Sequence, residues 1–221
     1  MRTLAAFVLW AGAATAAPIE QVPYATLAAS TAGRYDFESF EPRPEPGLSV
    51  DGLLGDGRVM FGESFLGQTV TGTPFDTLHG APSTPLTLRP GRKAENHAVA
   101  YHAGFGSVAL FPLGPWGFPA MAARGEGAVA MRFAQDVQAV GLRVHSDYPD
   151  PLGSRPAPGT LLIRFYDRAG RLLDRHTIQL DPGLTELGFS GPPFAGVLIT
   201  NTDPGGIAID DILFPVDGLN S

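Results

Sequence analysis

The sequence predicts an all-β chain folded as a two-sheet antiparallel, jelly-roll-like β-sandwich. Three observations carry that expectation. The 28 glycines and 21 prolines among 221 residues interrupt the chain too often for long helices. A hydrophobic share of 44% is too high for disorder, so there is a core to bury. Between the Gly and Pro breaks, apolar β-formers alternate with other residues over short runs, which is the period of a strand with one buried face.

The first stretch is set apart from the fold. Arg2 precedes an almost wholly apolar run from Leu4 to Ala14, and Ala14-Thr15-Ala16 supplies the small-x-small pattern of a signal-peptidase site. We read residues 1–16 as a signal peptide; a cut after Ala17 would instead leave Pro18 as the first mature residue. The run is too short to span a bilayer and no second one of spanning length follows. The expectation is an exported bacterial protein, periplasmic, extracellular or at the cell surface, with no integral membrane segment after processing.

Residues 17–33 read as an N-terminal extension with a short helical turn, residues 34–215 as a single β-sandwich domain, and residues 216–221 as a C-terminal tail. Arg34 to Phe40 is the first strand, closed by Pro42, Pro44 and Pro46, none of which can donate to a ladder. The glycine-rich turn from Gly52 to Gly57 precedes a bent strand over Arg58 to Leu66, and the Thr, Gly and Pro of 67–85 read as an excursion across the sandwich. Pro85 to Leu88, His97 to His102 and Ser107 to Phe111 follow as short strands, and Leu113 to Pro119 is a loop. Ala128 to Phe133 and Val137 to Val144 each alternate apolar residues and read as separate strands, before a polar loop from His145 to Gly159. Thr160 to Tyr166 and Leu172 to Leu180 flank Asp167-Arg168-Ala169-Gly170, a hairpin turn. Thr185 to Phe189, Val197 to Asn201 and Ile207 to Phe214 complete the set.

Charge and cysteine content narrow the function. A formal net charge of −7, more negative once Arg2 leaves with the leader, argues against a nucleic-acid or anionic-lipid surface. With no cysteine, an exported chain has neither disulfides nor thiolate metal sites, so its stability rests on a large core or on oxygen-ligated ions.

The last strand carries an anomaly. Asp210 and Asp211 interrupt its apolar alternation. Strict alternation sets one acid with Ile207, Ile209 and Leu213 and the other with Ala208, Ile212 and Phe214. A carboxylate on an apolar face requires a hydrogen bond, an ion pair or a metal.

Asp36-Phe37-Glu38, joined with Gly206-Ile207-Ala208-Ile209-Asp210-Asp211-Ile212, resembles the pattern of MAM domains. Those are extracellular jelly-roll sandwiches related in architecture to the concanavalin-like lectin folds. The stretch from Phe189 to Phe214, with the turn Asn201-Thr202-Asp203-Pro204-Gly205-Gly206, is similar to the closing strands of bacterial exported sandwich proteins of the PEP-CTERM-sorted type, without their sorting tail. The resemblance implies that the first and last strands lie side by side, bringing Glu38 near Asp210 or Asp211. Clustered carboxylates repel unless a cation sits among them, so a structural calcium held by Glu38, Asp210 and Asp211 is expected. The alternative is one solvated acid and one that accepts hydrogen bonds from backbone or an arginine.

Aromatic residues in loops suggest a ligand surface. Trp116 and Phe118 in a Gly/Pro loop, and Tyr148 in Asp147-Tyr148-Pro149-Asp150, have the character of sugar-stacking groups, while Trp116 and Phe118 are equally suited to plugging the core. For catalysis only Glu126, His97 and Tyr101 stand out: Glu126 lies between two glycines before a strand, and His97 and Tyr101 share one strand face. His102 falls on the opposite face, surface histidines are the simpler reading, and His145-Ser146-Asp147 reads as loop polarity, not a triad. No catalytic residue is assigned. The expected function is a non-catalytic, calcium-stabilised module that binds glycan or serves as an extracellular matrix or adhesion component. The alternatives are a polysaccharide-acting hydrolase or lyase and a purely structural assembly module.

Overall fold

A computed structural model describes residues 17–146 and 157–216. The expected signal peptide, Asp147, Tyr148 and residues 217–221 lie outside the described residues. In chain order the elements are β1 (Glu20–Val22), α1 (Tyr24–Ser30), β2 (Gly33–Tyr35), β3 (Leu48–Val50), β4 (Leu54–Gly55), β5 (Val59–Gly62), β6 (Ser64–Phe65), β7 (Thr69–Thr71), β8 (Thr77–His79), β9 (Leu88–Arg89), β10 (His97–His102), β11 (Ser107–Pro112), β12 (Val129–His145), β13 (Thr160–Tyr166), β14 (Leu172–Gln179), β15 (Leu184–Asn201) and β16 (Ala208–Phe214). Twelve strands form one antiparallel sheet in the order β14-β13-β15-β12-β16-β11-β10-β3, with β1 on β15, β2 on β16, and β5 then β4 on β12. Two small pairs, β6 with β9 and β7 with β8, stand outside it.

Two strands belong to both layers of the sandwich. β12 has 17 residues and β15 has 18. Their shared ladder is regular from Val129↔Ile199 to Arg132↔Gly196 and again from Ala139↔Ser190 to His145↔Leu184, and it slips in between. Pro192 and Pro193 fall at the slip, where the missing N–H costs no ladder bond. Before the slip β12 buries Val129, Met131 and Phe133; after it, Val140, Leu142 and Val144. That change of parity is what an inserted residue produces. The earlier half of β12 pairs with β5 and the later half with β16, so the sheet folds over itself at a corner made by strands that switch layers. The expected separate strands on either side of Ala134-Gln135-Asp136 and of Gly191-Pro192-Pro193 are therefore halves of two continuous strands, and the apparent breaks are the two sides of one corner.

The main core lies between the layers and is aromatic at its centre. Phe165 meets Phe189 at 5.3 Å and Phe194 at 5.1 Å between ring centroids, and Phe133 meets Phe214 at 5.5 Å. Such pairs each add about 0.5–1.5 kcal/mol beyond the area they bury.

The first strand of the sandwich lies beside the last, through Ile212↔Tyr35 and Phe214↔Gly33. It is shorter than the sequence suggests. Phe37 adopts φ 56°, which ends β2 and turns the ring inward to 1% exposure, against Tyr35 at 4.9 Å and Phe61 at 5.4 Å. A left-handed non-glycine residue costs about 1–2 kcal/mol, which burial of a whole phenyl ring offsets. Ahead of it, Tyr24 and Leu27, one helical turn apart in α1, are buried against Ala139 and Leu213 on the outer face of β12 and β16. No helix among the described residues is long and apolar enough to cross a membrane.

Candidate functional site

The Asp210-Asp211 pair sits at a bulge. Gly141 pairs with Leu213 but Arg143 with Asp210, so β16 carries one extra residue there, and Asp211 has φ 53°. Aspartate tolerates this conformation better than a β-branched residue does. The bulge resets the alternation: Ile207, Ile209, Ile212 and Phe214 all join the main core, while Ala208 and Leu213 face outward into smaller clusters. Strict alternation had split these four isoleucine and phenylalanine residues between two faces, and the inserted residue is the physical reason that it does not hold.

Each acid finds its own partners. Arg34 and Arg143 both donate to the Asp211 carboxylate, Arg143 Nη1 at 2.7 Å, and Arg143 bridges on to Glu186 at 2.8 Å. Tyr24 donates its hydroxyl to the Asp211 carbonyl at 3.1 Å. Asp210 accepts from Ser107 Oγ at 2.6 Å and from the Asp211 amide at 2.7 Å. Burial nevertheless pushes its carboxyl up to about 7, with Asp211 and Glu38 adding to the rise. Glu38 accepts from the Val108 amide at 2.8 Å, next to Ser107. Glu38 thus shares the start of β11 with Asp210, whereas Asp211 is neutralised by two guanidinium groups. Among the described residues no three histidine or acidic side chains are arranged as a metal site.

The aromatic loop divides in the same way. Phe118 is half-buried and packs on the outer cluster of Ala98, Ala100, Phe111 and Leu113. Trp116 is 59% exposed. The loop is fastened where the Phe118 amide donates to the Ala94 carbonyl at 2.7 Å. Tyr148 falls outside the described residues.

Next to this loop lies a trough of about 450 Å³ that sequence reasoning did not find. Its walls are β7, the turn between β9 and β10, and Pro115, which adjoins Trp116; Glu63 and Asp76 line it, with Arg89, Arg92 and Glu95. Asn96, fully buried, holds the turn by accepting from the Gly91 amide at 2.9 Å and donating to the carbonyls of Val50 and Gly52 at 2.7 and 2.8 Å. Glu63 occupies the bend between β5 and β6 and is 7% exposed. Among the described residues its carboxylate has neither a hydrogen bond nor an ion pair, and burial pushes it up to about 7, helped by Asp76 and Glu95 and opposed by Arg89 and Arg92. Asp76 is tethered on both sides: its amide donates to the Glu126 carbonyl at 3.2 Å and its Oδ2 accepts from the Ala128 amide at 2.9 Å. Burial raises it to about 6, the Ala128 bond opposing. A second trough of about 400 Å³, lined largely by threonines with Arg164 and Asn201, lies across the β7–β8 hairpin and shares Gly72 and Asp76 with the first.

The residues singled out for catalysis are elsewhere. His97 is fully buried with neither ring nitrogen partnered among the described residues, and burial pulls it down to about 3. Tyr101 is 44% exposed on the same strand. Glu126 is buried with Oε2 unpartnered among the described residues and is pushed up to about 7 by that burial. Gly125, at φ 103°, lies against the Ile207 backbone, where a Cβ would come within 2.3 Å of its nitrogen. The Gly-Glu-Gly segment therefore contributes its backbone, which anchors Asp76, and not a groove-facing acid. Nor are the histidines of β10 at the surface: His102, 7% exposed, bonds Glu45 at 2.8 Å and His145 at 3.1 Å, and Arg124 closes on Glu45 at 2.8 Å. The Tyr101 amide donates to the Arg43 carbonyl at 2.7 Å, so the segment that carries Glu45 lies along the edge of β10.

No protein-family model matches the chain, and no curated protein matches it. Among solved structures, it is similar to a family 29 carbohydrate-binding module complexed with mannohexaose, at 12% identity and a TM-score of 0.32 over 53% of this chain and 75% of that chain.

Proposed function

We propose that this protein is an exported carbohydrate-binding β-sandwich whose ligand lies in the trough lined by Glu63, Asp76 and Pro115, with Trp116 of the adjoining loop stacking on it. The observation that carries the reading is Glu63, a buried polar side chain without a partner among the described residues, which lines an open trough whose wall includes Pro115, the residue before the exposed Trp116. A sugar ring offers both things such a place lacks: an apolar face for the indole and hydroxyls for the carboxyls of Glu63 and Asp76, the guanidinium groups of Arg89 and Arg92 and the hydroxyls of Thr69 and Thr71. Both acids (Glu63, Asp76, Glu95) and arginines (Arg89, Arg92) line the trough, which favours a neutral ligand over a highly charged one. The sugar contact is assigned to Trp116; Phe118 is left as packing.

Calcium remains a proposal for Glu38 and Asp210 with the Ser107 hydroxyl, since Asp211 is already neutralised by arginines. It has no part in the trough.

Calorimetry against neutral oligosaccharides tests the binding reading. Trp116→Ala and Glu63→Ala are each expected to weaken binding at least about tenfold without changing the fold. A ligand whose affinity ignores both substitutions would place binding elsewhere.

A further inference from the structure

Resting on the carbohydrate reading, we propose that the trough also hydrolyses a glycosidic bond of a neutral polysaccharide, Glu63 protonating the leaving oxygen and Asp76 activating the water. The two carboxyls are built for different work. Asp76 has a backbone N–H committed to Oδ2, a bond that favours the ionised form, and its main chain is fixed through the Glu126 carbonyl. Glu63, on a bend between two strands and 93% buried by its 7% exposure, has no such donor. Asp76 therefore ionises first, and its charge holds the proton on Glu63. The values of about 6 and about 7 place the productive pair, a charged Asp76 beside a neutral Glu63, in the window between them. Arg89, Arg92 and Glu95 are the other charged groups that act on Glu63; the two arginines oppose its protonation and Glu95 favours it.

The step balances with water as the only co-reactant. The bond from the anomeric carbon to the leaving oxygen breaks as the Glu63 proton transfers to that oxygen. Water forms the new bond to carbon and gives its proton to Asp76, and the proton returns to Glu63 through solvent. The threonine-lined trough across the hairpin shares Asp76 and Gly72, so a linear polymer has room on both sides of the acids.

The test is reducing-end release from soluble β-glucan, mannan and xylan by the full mature chain, with binding measured on the same polymers. Hydrolysis with a bell-shaped pH profile, limbs near 6 and 7, is expected for at least one polymer. Glu63→Gln and Asp76→Asn are each expected to lose about 10²–10⁴-fold in kcat while still binding it. Circular dichroism and Tm show whether either variant is folded, and both substitutions keep side-chain size. Binding without any reducing-end release by the wild type overturns the hydrolysis and leaves the binding reading standing. Unchanged turnover in Glu63→Gln also overturns it, and absence of both binding and release across the panel overturns both readings.

Discussion

Asp211 shows how a single backbone angle can do what a sequence pattern conceals. Its φ of 53° inserts one residue into β16, and the two guanidinium groups then hold the carboxylate outside the main core. Asp211→Asn is expected to cost about 1–2 kcal/mol in urea denaturation, through weaker hydrogen bonds. Asp211→Ala is expected to cost about 1–2 kcal/mol more, since alanine must also take the left-handed conformation. Equal costs for the two would mean that the angle contributes nothing. Both losses are expected to be the same in calcium and in chelator; a Tm of the parent chain unmoved by calcium would likewise remove the ion from Glu38 and Asp210. The pair was legible in the sequence as an anomaly needing partners, but the partners were not, because Arg34 and Arg143 lie 177 and 68 residues away. Glu63 was less legible still. It reads as one residue of a bent aromatic strand, and nothing in Phe61-Gly62-Glu63-Ser64-Phe65 says that Asp76, beyond a Thr-rich turn, ends beside the same trough. The available signal was an acid two residues from a phenylalanine on either side, a weaker form of the one that drew attention to Asp210.

At the scale of the elements, short strands with a clear period came out as the sequence has them: His97 to His102, Thr160 to Tyr166 and the hairpin turn with Gly170 at φ 79°. The long strands did not. Proline and a polar triplet are ordinary stop signals, and only the partner strand shows that Pro192 and Pro193 oppose an interruption already present in β12. Close packing near this corner gives a sharp test. Gly196 in β15 has ordinary backbone angles, yet a Cβ there would come within 2.8 Å of both Leu86 and Phe65 and 2.9 Å of the Met131 carbonyl. Gly196→Ala is expected to destabilise by about 1–3 kcal/mol, although alanine is the smallest possible addition and is usually favoured over glycine. A neutral result would mean that the packing around Leu86 yields freely.

For the molecule as a whole, pH links the buried groups to stability. Glu63, Asp76, Glu126 and Asp210 are raised to about 7, 6, 7 and 7, chiefly by burial. Between the ordinary carboxyl range and those values the folded chain keeps protons that the unfolded chain has lost, so their contribution is complete at low pH and disappears as pH rises through 6 to 7. His97 acts in the opposite sense: lowered to about 3 from 6.5, it contributes fully above 6.5 and loses that contribution as pH falls towards 3. Glu45, Asp56 and Asp167, all lowered, also lose theirs in acid. Five raised carboxyls, Asp203 being the fifth, lose their contribution as pH rises, while His97 and the three lowered carboxyls lose theirs in acid, so the maximum of Tm is expected on the acid side of neutrality. A Tm that climbs steadily to pH 8 would contradict it. His97→Leu is expected to flatten the acid side of the curve.

The corner shared by β12 and β15 also bears on how the protein comes apart. A sandwich whose layers are joined only by loops can open one layer at a time, but here each layer contains half of the same two strands. Losing either half frees the ladder of the other, so partial unfolding has no natural place to stop. Native-state hydrogen exchange is expected to give one common opening free energy for amides of 129–133 and 140–145, with the protein behaving as a single cooperative unit despite a sheet of twelve strands.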